Sequence, residues 1–124
     1  MEISDRFRGY LPVVVDLETG GFSKDDNPIL EIACSFVTMR DGQLCVKDNA
    51  NWSLEPFEGS HIEPASLKVT KIDLDDPNRN ALDEREALVE FFKTVRDEMK
   101  FAGCHRAIMV AHNASFDQGF LNAA

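Results

Sequence analysis

Two acidic residues, Asp16 and Glu18, stand at the end of an apolar run with one residue between them. On a β-strand, residues two apart point to the same side, so the two carboxylates would lie roughly 7 Å apart. Like charges this close repel each other unless a cation lies between them, and oxygen ligands favour Mg²⁺ or Mn²⁺ over zinc. The spacing indicates a divalent metal site, although an isolated Asp-x-Glu pair is more often two solvated acids.

A third acidic residue, Asp117, follows a second apolar run at residues 107–111, which has the composition of a buried strand. Asn113 is suited to cap a helix that begins after this run, and Asp117 then lies in the first turn of that helix. The helix would carry three apolar residues, Phe116, Phe120 and Leu121. In α/β sheets, functional groups gather where strands end and helices begin, so we expect Asp117 to reach Asp16 and Glu18.

The strands that must hold these residues are predicted by apolar patterning and turn signals. Residues 12–18 are β-branched and apolar, as in a buried central strand. Alternation over 29–39 and 43–54, with an Asp-Gly turn at 41–42, predicts an antiparallel hairpin. A loop region rich in Pro, Gly, Asn and Asp follows, with one helical turn predicted at 64–69.

The strongest helix signal begins at Asp83. Asp83 and Glu86 resemble a capping box, and apolar residues continue at helical spacing as far as Met99. Gly103 lies where a glycine commonly ends a helix. These residues predict one long amphipathic helix ahead of the second apolar strand.

Composition restricts the class of protein. The chain has 124 residues and a formal net charge of -9, which suits one folded domain and excludes a general polyanion binder. No apolar run approaches the roughly 20 residues of a membrane-spanning helix. The N-terminus also lacks the features of a secretory signal, so we expect a cytoplasmic protein without a membrane partner. Three cysteines without paired spacing predict neither disulfides nor a zinc site.

The acidic residues belong to a longer set of motifs. In order, these are DRFRG at 5–9, PVVVDLETGGF at 12–22, LEIA at 30–33, EPFEG at 55–59 and GCHRAIMVAHN at 103–113, followed by Asp117. In this order the sequence resembles the DEDD superfamily of 3′→5′ exonucleases, and within it the ribonuclease T family. The resemblance extends over nearly the whole chain.

The resemblance implies an α/β fold, a ribonuclease H-like mixed sheet with flanking helices. Residues 1–124 would be an incomplete exonuclease domain that contains the first two exonuclease motifs but not the third, with the C-terminal part missing. The third motif supplies a His as general base and a fourth acid, so no general base is expected in this chain. His112 is expected to be structural. Because a general base contributes about 10²–10⁴-fold in rate, we expect little or no catalysis from these residues alone.

The resemblance also implies roles for the site residues. Members of the superfamily hydrolyse phosphodiesters with two metal ions, Mg²⁺ or Mn²⁺. Asp16 would bridge both ions, Glu18 would bind one beside the terminal 3′ hydroxyl, and Asp117 would hold the second. Phe22 and Phe116 would stack on the terminal bases. The structural alternative for Phe116 is that it faces the core.

Two further features bear on the 3′-terminal nucleotide. Thr19, Gly20 and Gly21 lack bulk, which would let that nucleotide approach the backbone. An acid and a stacking Phe of the family fall here on Ala65 and Val69. This departure leaves the base preference at the 3′ end open.

Four basic residues match family positions that contact the substrate backbone from the partner subunit of a homodimer. They are Arg6, Arg8, Lys100 and Arg106. Together they would form a local nucleic-acid footprint that works against the negative average charge. The alternative is scattered, solvated surface charge.

The function implied by the resemblance is 3′→5′ exoribonuclease activity. Its substrates would be single-stranded 3′ ends of tRNA and other stable RNAs, or single-stranded DNA. The first alternative is a non-catalytic RNA-binding or dimerisation module derived from a nuclease. The second is a phosphatase or other metal-dependent hydrolase on the same sheet, because fold does not determine function.

Overall fold

The computed structural model describes residues 2–112 and 114–124. Within them the strands are β1 (Tyr10–Thr19), β2 (Ile29–Arg40), β3 (Gln43–Ser53) and β4 (Arg106–Val110). The helices are α1 (Ile3–Arg6), α2 (Pro64–Thr70), α3 (Glu84–Ala102) and α4 (Ala114–Ala123), with a 3₁₀ turn at Pro77–Arg79. Asn113, the predicted cap of the last helix, lies outside the described residues.

The strands form one mixed sheet in the order β3-β2-β1-β4. β1 pairs antiparallel with β2 and parallel with β4, and β2 pairs antiparallel with β3. The hairpin between β2 and β3 turns at Asp41 and Gly42, whose φ angles are +53° and +78°. The predicted hairpin is therefore confirmed, and the predicted central strand lies between β2 and β4.

The apolar core lies on one side of the sheet. Along β1, Val13, Val15 and Leu17 are buried while Val14 and Asp16 on the other side are exposed. The buried side packs against α3 and α4, and Phe91 of α3 meets the ring of Trp52 edge-on at 5.8 Å between centroids. This alternation leaves the opposite face of β1 free to present polar side chains.

Helix α3 begins and ends where its sequence signals predict. The Asp83 side chain accepts a hydrogen bond of 2.8 Å from the backbone N–H of Glu86. Gly103 closes the other end with a φ of +69°, and its N–H bonds back to the carbonyls of the last turn. The cap and the apolar stripe together align α3 along the sheet.

Strand β4 departs from its prediction. Residues 107–111 have the composition of a buried strand, yet Ile108 is 50% exposed and Val110 is 45% exposed. The prediction of burial is wrong for this structure because β4 is the edge strand of the sheet, paired on one side only within the described residues. Composition indicates what a strand is suited to pack against, while neighbouring elements decide whether it is covered.

The three cysteines are free thiols, as predicted. Cys34 on β2 is buried, and this burial raises the pKa of its thiol to about 11. Burial also raises the pKa of the Cys104 thiol. No helix within residues 2–112 and 114–124 combines the length and apolar character needed to cross a membrane.

The cap of α3 gives a test of this local structure. Replacing Asp83 with Ala removes the acceptor for the Glu86 N–H, so we expect a loss of about 1 kcal/mol in the free energy of unfolding. Asp83→Asn keeps a side-chain oxygen there and should lose clearly less. Chemical denaturation of both variants measures the difference. Equal losses for Ala and Asn would contradict the capping role.

Candidate functional site

The end of β1 presents the two acids of the Asp-x-Glu pair on one face of the sheet. Val15 and Leu17 point into the core, so Asp16 and Glu18 point to the other side, as the spacing predicts. Asp16 is exposed and Glu18 is half-buried. The Thr19 hydroxyl donates a 2.6 Å hydrogen bond to the carbonyl of Gly21, which shapes the turn immediately after the pair.

The third acid, Asp117, lies in the first turn of α4 and is 7% exposed. Burial, followed by the charge of Asp16, raises the pKa of Asp117 above its ordinary value. The pKa of Glu18 is raised by burial first, then by the charges of Asp16, Glu31 and Asp117. Each acid thus feels the charge of at least one other, so the fold brings all three into one electrostatic neighbourhood.

Glu31 is a fourth acid at this place, and the motifs in the sequence give it no role. It stands opposite Glu18 in the β1–β2 register and contributes to the raised pKa of that carboxyl. A signal for it exists in the sequence, because Glu31 is the charged residue in the otherwise apolar first half of β2. A single sequence does not show which strand lies beside Glu18, and so the pairing is revealed only by the fold.

Carboxylates that repel each other have the donor chemistry of a site for a hard divalent cation. Among residues 2–112 and 114–124, however, no group of three or more His, Cys, Asp or Glu side chains is arranged closely enough to hold a metal ion. The acidic side chains lie close enough to interact electrostatically, but they do not form a closed cage of metal ligands. The chemistry of the donor set therefore fits a metal, and the assignment of Asp16, Glu18 and Asp117 as its ligands stays a prediction.

The glycines after the acids have a structural role that their sequence positions do not reveal. A Cβ at Gly20 would lie 2.9 Å from the ring of Pro28, and one at Gly21 would clash with the side chain of Asn27. Asn27 is 4% exposed and joins two loops, since it accepts from the N–H of Ser23 and donates to the carbonyl of His61. Small residues at 20 and 21 let this loop close beside the acids.

Arg79 is a second residue that sequence reasoning missed. Its Nη2 donates to the carbonyl of Leu30 at 3.2 Å and to that of Leu54 at 3.1 Å. These bonds tie the start of β2 to the segment after β3, immediately beside Glu31. Arg79 therefore fixes the strand that places Glu31 opposite Glu18.

The two predicted stacking residues are in contact with each other. Phe22 is 89% exposed and its ring meets that of Phe116 at 6.1 Å between centroids, in an edge-on arrangement. Phe116 in turn packs on Phe120 at 4.8 Å and is partly buried against the core. Phe116 therefore packs against the core, as the structural alternative expects, and it also contacts the exposed ring of Phe22.

The four predicted nucleic-acid contacts are all exposed, and none forms an ion pair within the part of the chain that the structure describes. They are Arg6, Arg8, Lys100 and Arg106. Arg106 stands beside Tyr10 at the start of β1, whereas Asp16 lies further along the same strand, about 20 Å away. Arg106, on β4, thus lies beside the start of β1, whereas the acidic residues lie at the end of β1.

The remaining predicted positions surround the same loop. Ala65 and Val69 lie on α2, where Val69 is 81% exposed, and the N–H of Glu63 just before α2 bonds to the carbonyl of Gly20 at 2.7 Å.

His112 follows β4 and is exposed. β4 ends at Val110, so His112 lies beyond the strand, and its structural role stays a prediction.

These elements define the class of protein. A family model described as Exonuclease, RNase_T, matches residues 13–124. The chain belongs to this exonuclease family, as the motifs predict. Ribonuclease T of Shewanella frigidimarina (strain NCIMB 400) is 49% identical over 120 residues, which cover 96% of this chain and 54% of that protein. Ribonuclease T of Shewanella sp. (strain W3-18-1) is 46% identical over 124 residues, covering 99% of this chain and 56% of the relative.

The chain thus spans about half the length of the curated relatives it matches. Among solved structures, E. coli exonuclease I in complex with a dT13 oligonucleotide superposes with a TM-score of 0.67 at 11% identity, over 90% of this chain and 22% of that one. Its zinc-bound form with single-stranded DNA gives the same TM-score of 0.67. This likeness confirms the predicted ribonuclease H-like fold, with a mixed sheet and flanking helices.

The shared electrostatics of the acids can be tested by titration. Replacing Asp16 with Asn removes a charge that raises the pKa of both Glu18 and Asp117, so we expect both pKa values to fall. Carboxyl carbon chemical shifts followed by NMR against pH measure each group. Asp25→Asn, a change at an exposed acid that contributes to neither pKa, is the control. Unchanged titration of Glu18 and Asp117 in Asp16→Asn would show that the acids do not share a site.

Proposed function

We propose that this chain carries the carboxylate centre of a DEDD-type 3′→5′ exoribonuclease. The substrates we propose are single-stranded 3′ ends of tRNA and other stable RNAs in the cytoplasm. The observation that carries the proposal is the mutual charge interaction of Asp16, Glu18 and Asp117 in a member of the exonuclease family. RNA as the substrate is supported by relatives named Ribonuclease T.

The three carboxylates are the residues that would hold two divalent ions, Mg²⁺ or Mn²⁺. Asp16 would help to hold both ions, a role that the resemblance implies, and its charge raises the pKa of both of the other acids. The chemistry supplied by two bound divalent cations is activation of water and stabilisation of the leaving oxygen during in-line displacement. Support for metal use comes from a structural neighbour, E. coli exonuclease I, which has a zinc-bound form in complex with single-stranded DNA.

The aromatic pair is proposed to bind the last bases of the strand. Phe22 offers an exposed ring, and the partly buried Phe116 contacts that ring edge-on. Stacking on an aromatic side chain is worth about 1–3 kcal/mol per base and tolerates most sequences. This contact would orient a 3′ end beside the acids without strong selection for sequence.

The exposed basic residues near the start of β1 are proposed to contact an RNA strand. They would bind phosphates of RNA that is held by the partner subunit of a homodimer. Arg106 lies about 20 Å along β1 from Asp16, which is far for a contact with the same scissile phosphate. Its position fits contact with a phosphate other than the scissile one, and the resemblance implies that this phosphate belongs to RNA whose end lies in the partner subunit. Single-stranded DNA is a second substrate class, supported by the exonuclease I complex with dT13.

We assign the role of general base to none of the described residues. The base and a fourth acid are proposed to come from a third motif outside residues 1–124. Because a general base contributes about 10²–10⁴-fold and a fourth acid is assigned to the same motif, this chain alone should cleave at a rate reduced by at least about that factor. Slow, metal-dependent removal of 3′ nucleotides is therefore the activity we expect from it.

A 5′-labelled single-stranded RNA incubated with excess protein and Mn²⁺ tests the proposal. We expect slow shortening by single nucleotides from the 3′ end, which EDTA and Asp16→Asn each abolish. Asp26→Asn, at an exposed acid on the loop after the glycines, should cleave like the unaltered chain. A circular RNA of the same sequence should resist cleavage.

Two outcomes would contradict the nuclease assignment. Cleavage of the circular RNA would indicate an endonuclease. RNA binding that persists unchanged in EDTA, with no shortening at any protein concentration, would favour a non-catalytic RNA-binding module.

A further inference from the structure

His105 joins two segments of the chain that carry basic residues. Its backbone N–H donates to the carbonyl of Gly9 at 2.9 Å, and the N–H of Arg106 donates to the same carbonyl at 3.4 Å. Gly9 directly follows Arg8, and Tyr10 stands opposite Arg106 in the parallel register of β1 and β4. The turn before β4 and the segment before β1 are therefore held together at one carbonyl group.

The His105 ring lies directly on the backbone of Gly9. A Cβ at Gly9 would clash with the Cε1 and Nδ1 atoms of that ring, and the φ angle of Gly9 is +85°, a conformation that glycine adopts without steric cost. The Tyr10 ring lies beside the imidazole, with 5.9 Å between the ring centroids. These contacts hold the ring in place, although His105 is an exposed residue.

The surroundings of the ring are basic. Arg8 precedes the glycine under the ring and Arg106 follows His105 in the chain, and neither is in an ion pair with another described residue. The other titratable neighbours are the Tyr10 phenol and the buried Cys104 thiol. In the described part of the chain, no carboxylate pairs with the ring and no hydrogen bond reaches its nitrogen atoms. The ring nitrogens are therefore available to an anion from outside.

We propose that His105, in its protonated form, is a further phosphate contact of the RNA-binding surface. This inference rests on the proposed function, which assigns RNA phosphates to the neighbouring arginines. A phosphate oxygen at the edge of the ring would accept a charge-assisted hydrogen bond from an imidazolium N–H. Binding is therefore coupled to protonation of the ring, because a neutral imidazole does not offer the same charged donor.

The direction of the pH effect follows from this contact. Histidine side chains change their charge between about pH 5 and pH 8, and the charged form is the one present at the lower pH. Affinity for RNA should therefore be higher at about pH 6 and should fall as the pH rises to about 8. For single-stranded nucleic acids, each phosphate contact contributes about 0.7 to the slope of log affinity against log salt. The lost contact should also appear as a shallower salt dependence at the higher pH.

Fluorescence anisotropy of a 5′-labelled single-stranded RNA, measured in EDTA at both pH values and over a range of salt, tests the proposal. We expect the unaltered chain to bind roughly tenfold more tightly at the lower pH, with a salt slope steeper by about 0.7. His105→Asn should lose most of this difference, and His105→Lys should bind tightly at both pH values. His61→Asn, at an exposed histidine in the loop before α2, is the matched control and should keep the full pH response.

NMR of the unaltered chain reports on the ring without any substitution. At neutral pH, addition of the RNA should shift the resonance of the His105 Cε1–H towards its position in the protonated ring. A resonance that stays in place while the RNA binds would overturn the proposal.

The variants give further results that would overturn it. They are a pH response that persists unchanged in folded His105→Asn, and one that His61→Asn removes instead. Equal weakening of His105→Asn at both pH values would also overturn it, because a ring that only supports Gly9 predicts that result. Circular dichroism shows whether each variant is folded.

Failure of the proposed function gives different results. RNA binding that Arg106→Gln leaves unchanged would contradict the phosphate-binding surface itself, and with it the role of His105. Absence of RNA cleavage in Mn²⁺ would contradict the nuclease assignment alone, because the binding measurements are made without metal.

Discussion

Repulsion among carboxylates is the constraint on which the end of β1 depends. Asp16, Glu18 and Asp117 carry like charges, and the half-burial of Glu18 and near-complete burial of Asp117 make those charges costly. The fold maintains this arrangement because Val15 and Leu17 anchor the other side of the strand in the core. Burial first, and the neighbouring negative charges second, raise the pKa of Glu18 and of Asp117, and a bound divalent cation would offset the cost of keeping these carboxylates charged.

Acidic and basic residues lie at opposite ends of the β1–β4 pair. The chain as a whole has a net charge of -9, which disfavours contact with a polyanion. Acids gather at the end of β1, while Arg106 stands at its start and is not neutralised by an ion pair in the described residues. Arg106 of β4 therefore lies apart from the acidic residues of β1, and it is the position to which the proposed function assigns RNA phosphates.

Local sequence patterns predict most of the helices and strands. Burial and strand pairing depend on neighbouring elements, which these patterns do not contain. Asp83 caps α3, and the β2–β3 hairpin turns at Asp41 and Gly42, because each signal acts within a few residues. Ile108 is apolar yet exposed, since burial depends on an element beside β4 that the pattern does not contain. Glu31 joins the acids only through strand pairing. Long-range juxtaposition is thus the part of the site that a single sequence leaves open.

Asp16, Glu18 and Asp117 are proposed to form one cation site. Crystals of the chain soaked in Mn²⁺ and measured at the manganese absorption edge test it most directly, because anomalous scattering locates the ion itself. We expect at least one strong peak within about 2.5 Å of carboxylate oxygens from two or more of these residues. Peaks only elsewhere, or none at saturating Mn²⁺, would contradict it.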